Sequence, residues 1–263
     1  MATVTYNVPA GAITYNDIAL LKLVSAQIVT VSATTFHVRT TVTGAISGTL
    51  DTTMTGNFDL LGGAPVGGVI TGLRADFNGQ TLLDLSNFSL PYGNLGQAAD
   101  LDGLMALILT GNDSVVGANV AEILQGFTGV DNIFGGGGID FINGNQGDDT
   151  VNGGDGFDIV RGGRDNDLIL GEAGDDWLSG DRGSDTLTGG LGADIFHTFS
   201  QAGLDRVTDF NRAQGDRVMV DPGTQYTVAQ SGADVVIDMG GGNQMVLAGV
   251  QMSALTGDWI FGA

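Results

Sequence analysis

Cysteine is absent from the 263 residues, lysine occurs once (Lys22), and there are two histidines and four prolines. Without cysteine there are no disulfides and no thiolate metal sites. Nine basic residues against thirty acids leave a formal charge of −21, which argues against nucleic acid and anionic membrane as partners. No run reaches the eighteen apolar residues of a membrane-spanning helix. Met1 to Ala10 has neither a basic start nor an apolar run, and Ile18 to Val24 is interrupted by Lys22. No N-terminal signal peptide is therefore expected, and export would need another route. A nucleophile elbow, a P-loop and a zincin helix are all missing, so the chain is not expected to be an enzyme. His37 falls on the polar parity of a strand and His197 on a polar outer row, where each reads as a surface residue rather than a base or ligand. Asp76 and Asp84 are the weaker alternative, a glycosidase-like pair. With 42% hydrophobic content, the chain can bury the core of one long or two ordinary domains.

What is abundant is glycine, 45 residues of it, and over residues 126–197 it keeps phase. Nine-residue units open at Gly126, Gly135, Gly144, Gly153, Gly162, Gly171, Gly180 and Gly189. The sixth position is always Asp: Asp131, Asp140, Asp149, Asp158, Asp167, Asp176, Asp185 and Asp194. The eighth is always apolar, from Ile133, Ile142, Val151 and Val160 through Ile169, Leu178, Leu187 and Phe196. One acid and one hydrophobe per fixed period is a solenoid signature. Six residues rich in Gly and Asp make a turn, and three make a short strand with its middle residue inward. Two units make one coil of eighteen residues. Residues 108–116 and 117–125 fit the same phase in degenerate form, with Asp113 and Glu122 at the sixth position. Val120 replaces a turn glycine in the second of these, and Asp165 replaces one later, a position Asp tolerates.

Coils stacked at about 4.8 Å bring the Asp of one unit over the Asp two units later. Asp131, Asp149, Asp167 and Asp185 then share one edge, and Asp140, Asp158, Asp176 and Asp194 the other. Two carboxylates about 5 Å apart repel by roughly 3 kcal/mol at an effective dielectric of 20, so a cation is expected between them. The candidate ligands are these eight acids and Asp113, with turn carbonyls at Gly129, Gly138, Gly147, Gly156, Gly174, Gly183 and Gly192. Hard oxygens in a flexible turn suit several Ca²⁺ ions better than Mg²⁺, which demands a stricter octahedron.

This nonapeptide resembles the calcium-binding repeat of RTX proteins. The resemblance implies a right-handed parallel β-roll that folds on Ca²⁺. The strand-rich lead-in, about 24–116, looks like the N-terminal region of many short RTX proteins. Gly203-Leu204-Asp205-Arg206-Val207-Thr208-Asp209-Phe210 with Gly215-Asp216-Arg217-Val218 is similar to the closing segment of serralysin-type metalloproteases and to the repeat modules of mannuronan epimerases. Asp258-Trp259-Ile260-Phe261 resembles the terminus of type I secretion signals, which implies export through a type I exporter and an extracellular protein of a Gram-negative bacterium.

The expected fold is all-β, with three regions. An N-terminal β-sheet domain, 1–107, has alternating apolar positions from Phe36 to Leu60, an Asn78-Gly79 hairpin and a short helix capped by Asp100. The roll, a β-solenoid, occupies 108–197, and a C-terminal β cap with the secretion signal occupies 198–263. Ile123, Phe141, Ile159, Trp177 and Ile195 fall at eighteen-residue spacing into one outward apolar stripe, covered either by the chain itself or by self-association. The functional expectation is a non-enzymatic matrix, surface-layer or adhesive protein. A calcium-dependent polysaccharide-binding module is the alternative, and a glycan-active enzyme a weaker one.

Overall fold

A computed structural model describes the backbone of residues 3–5, 22–31, 35–43, 48–61, 64–77, 80–91 and 109–262, and side chains from 109 to 262. The chain divides into two compact units, 1–118 and 119–263.

In the first unit, β1 (Thr3–Thr5), β2 (Lys22–Val31), β3 (Thr35–Thr43), β4 (Gly48–Leu61), β5 (Ala64–Phe77), β6 (Gln80–Pro91) and β7 (Ser114–Val116) form one sheet. Its order is β2-β3-β4-β5-β6-β1-β7. The alternating stretch becomes two antiparallel strands, β3 and β4, with Thr40 opposite Leu50. Gly56 marks a register shift in β4, as a glycine in a strand often does. Phe77 pairs with Gln80 across two intervening residues, the spacing of the Asn78-Gly79 hairpin. Asp84 lies opposite Arg74 and Asp76 opposite Thr81, with a register shift between. The expected helix after Asp100 and the dry and wet faces of this sheet fall outside the described residues.

The second unit is a parallel coil. Its strands are β8 (Ile123–Gln125), β9 (Asn132–Gly138), β10 (Phe141–Gln146), β11 (Thr150–Gly156), β12 (Ile159–Arg164), β13 (Leu168–Ala173), β14 (Trp177–Arg182), β15 (Thr186–Leu191), β16 (Ile195–Thr198), β17 (Leu204–Val207), β18 (Arg217–Val220), β19 (Thr227–Ser231), β20 (Asp234–Gly240), β21 (Asn243–Leu247) and β22 (Ile260–Phe261). Even-numbered strands β8 to β18 stack as β8-β10-β12-β14-β16-β18, closed by β22. Odd-numbered β9 to β17 stack as β9-β11-β13-β15-β17, followed by β21, β20 and β19. From β8 to β16, neighbours within each stack are parallel and offset by eighteen residues, as in Phe141↔Ile159↔Trp177 and Ile133↔Val151↔Ile169.

The core is the eighth-position ladder. Val151, Val160, Ile169, Leu178, Leu187 and Phe196 have no exposed surface, and Ile133 and Ile142 almost none. Each such burial contributes about 1.5–3 kcal/mol, so the ladder is the main apolar support of a coil too thin to have any other core. The strands exceed the three residues expected from the sequence: most run six or seven, because pairing between coils resumes at positions two and three of the next unit, after a kink in which position two takes a positive φ, as at Asn145 (+78°) and Gly163 (+122°). In β10, Phe141–Gln146, the burial alternates so that Ile142 and Gly144 both face inward. Position two and positions four to six together turn the chain. Gly147 at position four has φ of +122°, and a side chain there would run into the carbonyl of Gly129 one coil away. Asp165, without a glycine at the same place, adopts φ of +77°, as expected for Asp.

Both stacks continue beyond the last perfect repeat. β17 pairs with β15 in parallel, Arg206 opposite Thr186 and Val207 opposite Leu187, and β18 pairs with β16, Val218 opposite Phe196. The C-terminal strands seal this end: β21 lies parallel on β17, β20 antiparallel on β21, and Ile260 opposite Val218. The last residues are fixed by aromatic and ionic contacts. Trp259 meets Phe210 edge to face at 6.4 Å, Arg217 lies 4.0 Å over the Phe261 ring, and Asp258 accepts Arg217 at 3.3 Å and Arg212 at 3.5 Å.

Candidate metal centre

Position six of each unit is fixed by the turn that precedes a strand, so all position-six carboxylates of one edge superpose along the coil. Asp131, Asp140, Asp149, Asp158, Asp167, Asp176, Asp185 and Asp194 are 3% exposed or less, as is Asp113 in the first unit. Each ladder has the same wiring. The N–H of Asp131 donates to Asp149 Oδ1 at 2.8 Å, that of Asp149 to Asp167 at 2.8 Å, and that of Asp167 to Asp185 at 2.8 Å. On the other edge Asp140 donates to Asp158 at 2.9 Å, Asp158 to Asp176 at 2.9 Å, and Asp176 to Asp194 at 3.0 Å. One oxygen of each acid from Asp140 to Asp194 therefore ties adjacent coils together.

The second oxygen is left over. The Oδ2 atoms of Asp140, Asp149, Asp158, Asp167, Asp176, Asp185 and Asp194 are buried and have no hydrogen-bond partner. A native protein contains only a few buried polar atoms without partners, and each calls for an explanation such as an ion. Seven in one motif point to a bound cation. Their surroundings are shaped for one. A Cβ built on Gly126, Gly135, Gly153 or Gly171 would fall 2.5–2.8 Å from the Oδ2 of Asp131, Asp140, Asp158 or Asp176. On Gly126 and Gly153 the same Cβ would stand 2.7 and 2.9 Å from the carbonyls of Gly144 and Gly171, one coil further on. The space a side chain would take is thus bordered by a carboxylate and a peptide carbonyl. Among the described residues no three carboxylate or imidazole groups converge, so a cation here draws on acid pairs completed by backbone oxygens. Those are hard donors of variable number, the chemistry of Ca²⁺.

The electrostatics agree. Burial, against the opposing effect of the backbone hydrogen bond, pushes Asp140 and Asp176 from 3.8 up to about 7. It takes Asp149 and Asp194 to about 6 and Asp167 to about 8; Asp158 is also raised. Neighbouring carboxylates add to the rise for most of them. Carboxylates that resist ionisation to this degree need a neutralising partner near neutral pH, and there are two candidates, a divalent cation or a proton.

Of the other expected ligands, Gly129, Gly138, Gly147, Gly156, Gly174 and Gly192 share φ between +122° and +148°. The carbonyls of Gly129, Gly138, Gly156 and Gly174 each face the position-four glycine one coil on. Gly183 lies outside that φ range, but its carbonyl likewise faces the glycine one coil on, Gly203, to which it is bridged. Glu122 is 7% exposed, and its N–H donates to Asp140 Oδ1 at 2.8 Å. Two groups escaped the sequence reading. The position-one glycines form the cradle, which their role as unit openers already hinted at. Asp205 and Asp216 extend the two ladders, receiving the N–H of Asp185 at 3.4 Å and of Asp194 at 3.2 Å. Steps of 20 and 22 residues hide them from a count of nine, although Asp205-Arg206-Val207 and Asp216-Arg217-Val218 repeat the acid-x-apolar signature.

His197 does lie on the outer row with Asn143, Arg161 and Ser179, yet its side chain is only 11% exposed. Its Nδ1 is 3.1 Å from Ser179 Oγ and its Nε2 2.9 Å from Asp221 Oδ1, and Trp177 stacks on the ring at 4.9 Å. Ser, His and Asp side by side invite comparison with a hydrolytic triad. The chemistry opposes it: Ser179 donates its hydroxyl hydrogen to Asp181 and has no exposed surface, so it can neither be deprotonated by the ring nor reach a substrate.

Residues 125–160 and 161–196 each match the family of the RTX calcium-binding nonapeptide repeat (4 copies). These residues are therefore RTX repeats, and calcium is their cation. No curated protein matches the sequence. Among solved structures the chain is similar to the extracellular lipase LipA of Serratia marcescens, at 19% identity and a TM-score of 0.29, covering 58% of this chain and 38% of the lipase. It is also similar to the AlgE6R3 subunit of the Azotobacter vinelandii mannuronan C5-epimerase, at 22% identity and a TM-score of 0.31, covering 59% of this chain and 80% of that one. For the AlgE6R2 subunit the values are 25% and 0.24, covering 57% and 92%.

Proposed function

Residues 125–196 being RTX calcium-binding repeats, we propose that the chain is a secreted, non-enzymatic protein of the extracellular matrix or cell surface whose roll folds when it meets calcium outside the cell. The observation that carries this reading is the row of buried carboxylates with an unpartnered Oδ2, which makes the folded roll unfavourable until a cation joins it. Extracellular calcium modules work at affinities of about 10⁻⁴ to 10⁻³ M, so the chain stays open in cytosol and closes on export. Residues 198–263 serve as the closing segment and, through Asp258-Trp259-Ile260-Phe261, as the address read by a type I exporter of a Gram-negative bacterium. Metal ligation falls to Asp113 and the eight repeat acids with the turn carbonyls. Hydrodynamic radius and far-UV circular dichroism during a calcium titration test this reading: compaction with a gain of β-signal is expected, and an unchanged chain in chelator would refute it.

Self-association supplies the assembling part of the role. Ile123, Phe141, Ile159, Trp177 and Ile195 stack in register on the outer face of the even-numbered strands, and Ile123 and Phe141 are 46% and 49% exposed. An apolar row along one face of the coil favours contact with another copy.

A groove on the same face favours a second reading, polysaccharide binding. Its volume is about 470 Å³, and Asn143, Arg161, Arg164, Arg182, His197 and Phe199 are among its lining residues. Arg164 and Arg182 are directly opposite in register, a pairing of like charges that an acidic sugar would relieve. The two acids of the groove are already engaged, Asp181 by Arg161 at 2.7 Å and Asp221 by His197. A glycan-binding screen in calcium, repeated with R164A/R182A, separates the readings: binding lost in the double variant supports the groove, and no binding by the parent removes it.

A further inference from the structure

The RTX match ends at residue 196, but each acid ladder runs one rung further. Asp205 sits one rung past Asp185, twenty residues on instead of eighteen, and the flanking strands remain paired, with Gly203 bridged to Gly183 and Arg206 opposite Thr186. Asp205 has no exposed surface. Its Oδ1 accepts the N–H of Asp185 at 3.4 Å, a longer bond than any other rung of either ladder, and its Oδ2 has no hydrogen-bond partner. The Oδ2 of Asp185 is equally without one. Two fully buried carboxylates on adjacent rungs of the same edge are thus each left with a spare oxygen.

The opposite edge ends differently, and the contrast is informative. Asp216, the rung past Asp194, accepts the N–H of Asp194 on Oδ1 and that of Asn211 on Oδ2 at 2.7 Å, so both of its oxygens are occupied by the protein. Past Asp205, the next strand places Met245 opposite it, a side chain with no oxygen to offer. One edge is therefore closed by backbone donors, while the other stops at a pair of acids whose combined charge matches one divalent cation.

We propose that Asp185 and Asp205 hold a further calcium ion outside the recognised repeats, and that this ion locks the C-terminal segment onto the roll. The inference rests on the calcium reading of residues 125–196. Its consequence is order in assembly: Asp205 lies in β17, the strand that carries β21 and, through it, β20, so the closing strands dock only after the terminal ion is bound. The rival neutraliser of this pair is a shared proton, which would leave the cap insensitive to calcium.

Native mass spectrometry of the full chain at saturating calcium counts the ions directly. D205N keeps the side-chain volume and one acceptor oxygen, and is expected to carry one ion fewer than the parent. In hydrogen exchange it is also expected to lose protection in β21 while retaining it in β11 to β14. An unchanged ion count in D205N overturns the proposal and leaves the pair to a proton, whereas a parent chain that binds no calcium overturns the calcium reading itself. Should D205N fail to fold, anomalous scattering from crystals of the calcium-loaded parent decides: a peak between Asp185 and Asp205 supports the site, and none at that place while peaks occur along the repeats refutes it.

Discussion

If the buried acids need either a cation or a proton, acid should stand in for calcium. Consider the chain in excess chelator, moved from pH 8 to pH 5. Asp140 and Asp176 titrate near 7, Asp149 and Asp194 near 6, and Asp167 near 8 in the folded roll, against 3.8 when exposed. Because each folded value lies above the unfolded one, protons favour the folded state. That contribution is complete below about pH 4 and is lost as pH rises through 6 to 8. Between pH 8 and pH 5 each acid regains about 1–4 kcal/mol, and the five together regain on the order of 10 kcal/mol. A typical domain is stable by only about 5–15 kcal/mol, so this swing is large enough to decide whether the metal-free roll exists. The assay is far-UV circular dichroism with hydrodynamic radius, in chelator, stepped from pH 8 to pH 5, and kept above the isoelectric point of about 4.1. An expanded chain at pH 8 that compacts by pH 5 is expected, and in saturating calcium the same steps should change little until the acids begin to release the metal. A metal-free chain that is folded at pH 8 and loses structure on acidification would show that the direction of the linkage is wrong.

Three further outcomes follow from the same geometry. G153A places a methyl 2.7 Å from Asp158 Oδ2 and 2.9 Å from the Gly171 carbonyl, and calcium titration should show at least a tenfold weaker overall affinity, about 1.4 kcal/mol; G111A, with nothing within 4 Å of its added methyl, should leave the titration as it was. L178A empties a fully buried position of the inward ladder and should lower stability in calcium by about 2–5 kcal/mol in denaturant melts, with ion count unchanged. F141S at the exposed end of the apolar stripe should leave the calcium-loaded chain monomeric by light scattering if copies meet there; the same mass distribution as the parent would remove that contact.

Much of the site was legible because a coil repeats. A constant step of nine puts every sixth residue at the same turn and every eighth inside, so Asp149 and Val151 could be placed without coordinates. The calcium chemistry followed from the acid ladder alone, since like charges at strand spacing cannot stand unneutralised. Less legible was how each carboxylate divides its oxygens, one to the N–H of the neighbouring coil and one to the cradle beneath a position-one glycine. That division depends on side-chain direction, which residue spacing does not encode. His197 illustrates the same limit: its row was foreseen, but its burial between Ser179 and Asp221 arises from a loop 24 residues further on.

What the sequence by itself determined is the coil: its period, its core ladder of Val, Ile, Leu and Phe, and the identity of the acids along 126–197. What only the tertiary structure decided is where the coil stops. Insertions of two residues before Asp205 and four before Asp216 destroy the nine-residue count, yet parallel strands need only meet in register along their extended segments, so extra turn residues loop outward and the hydrogen-bond ladder carries on. Periodicity records constant steps along the chain. The fold requires constant spacing only between strands, and at residues 205 and 216 the two part company.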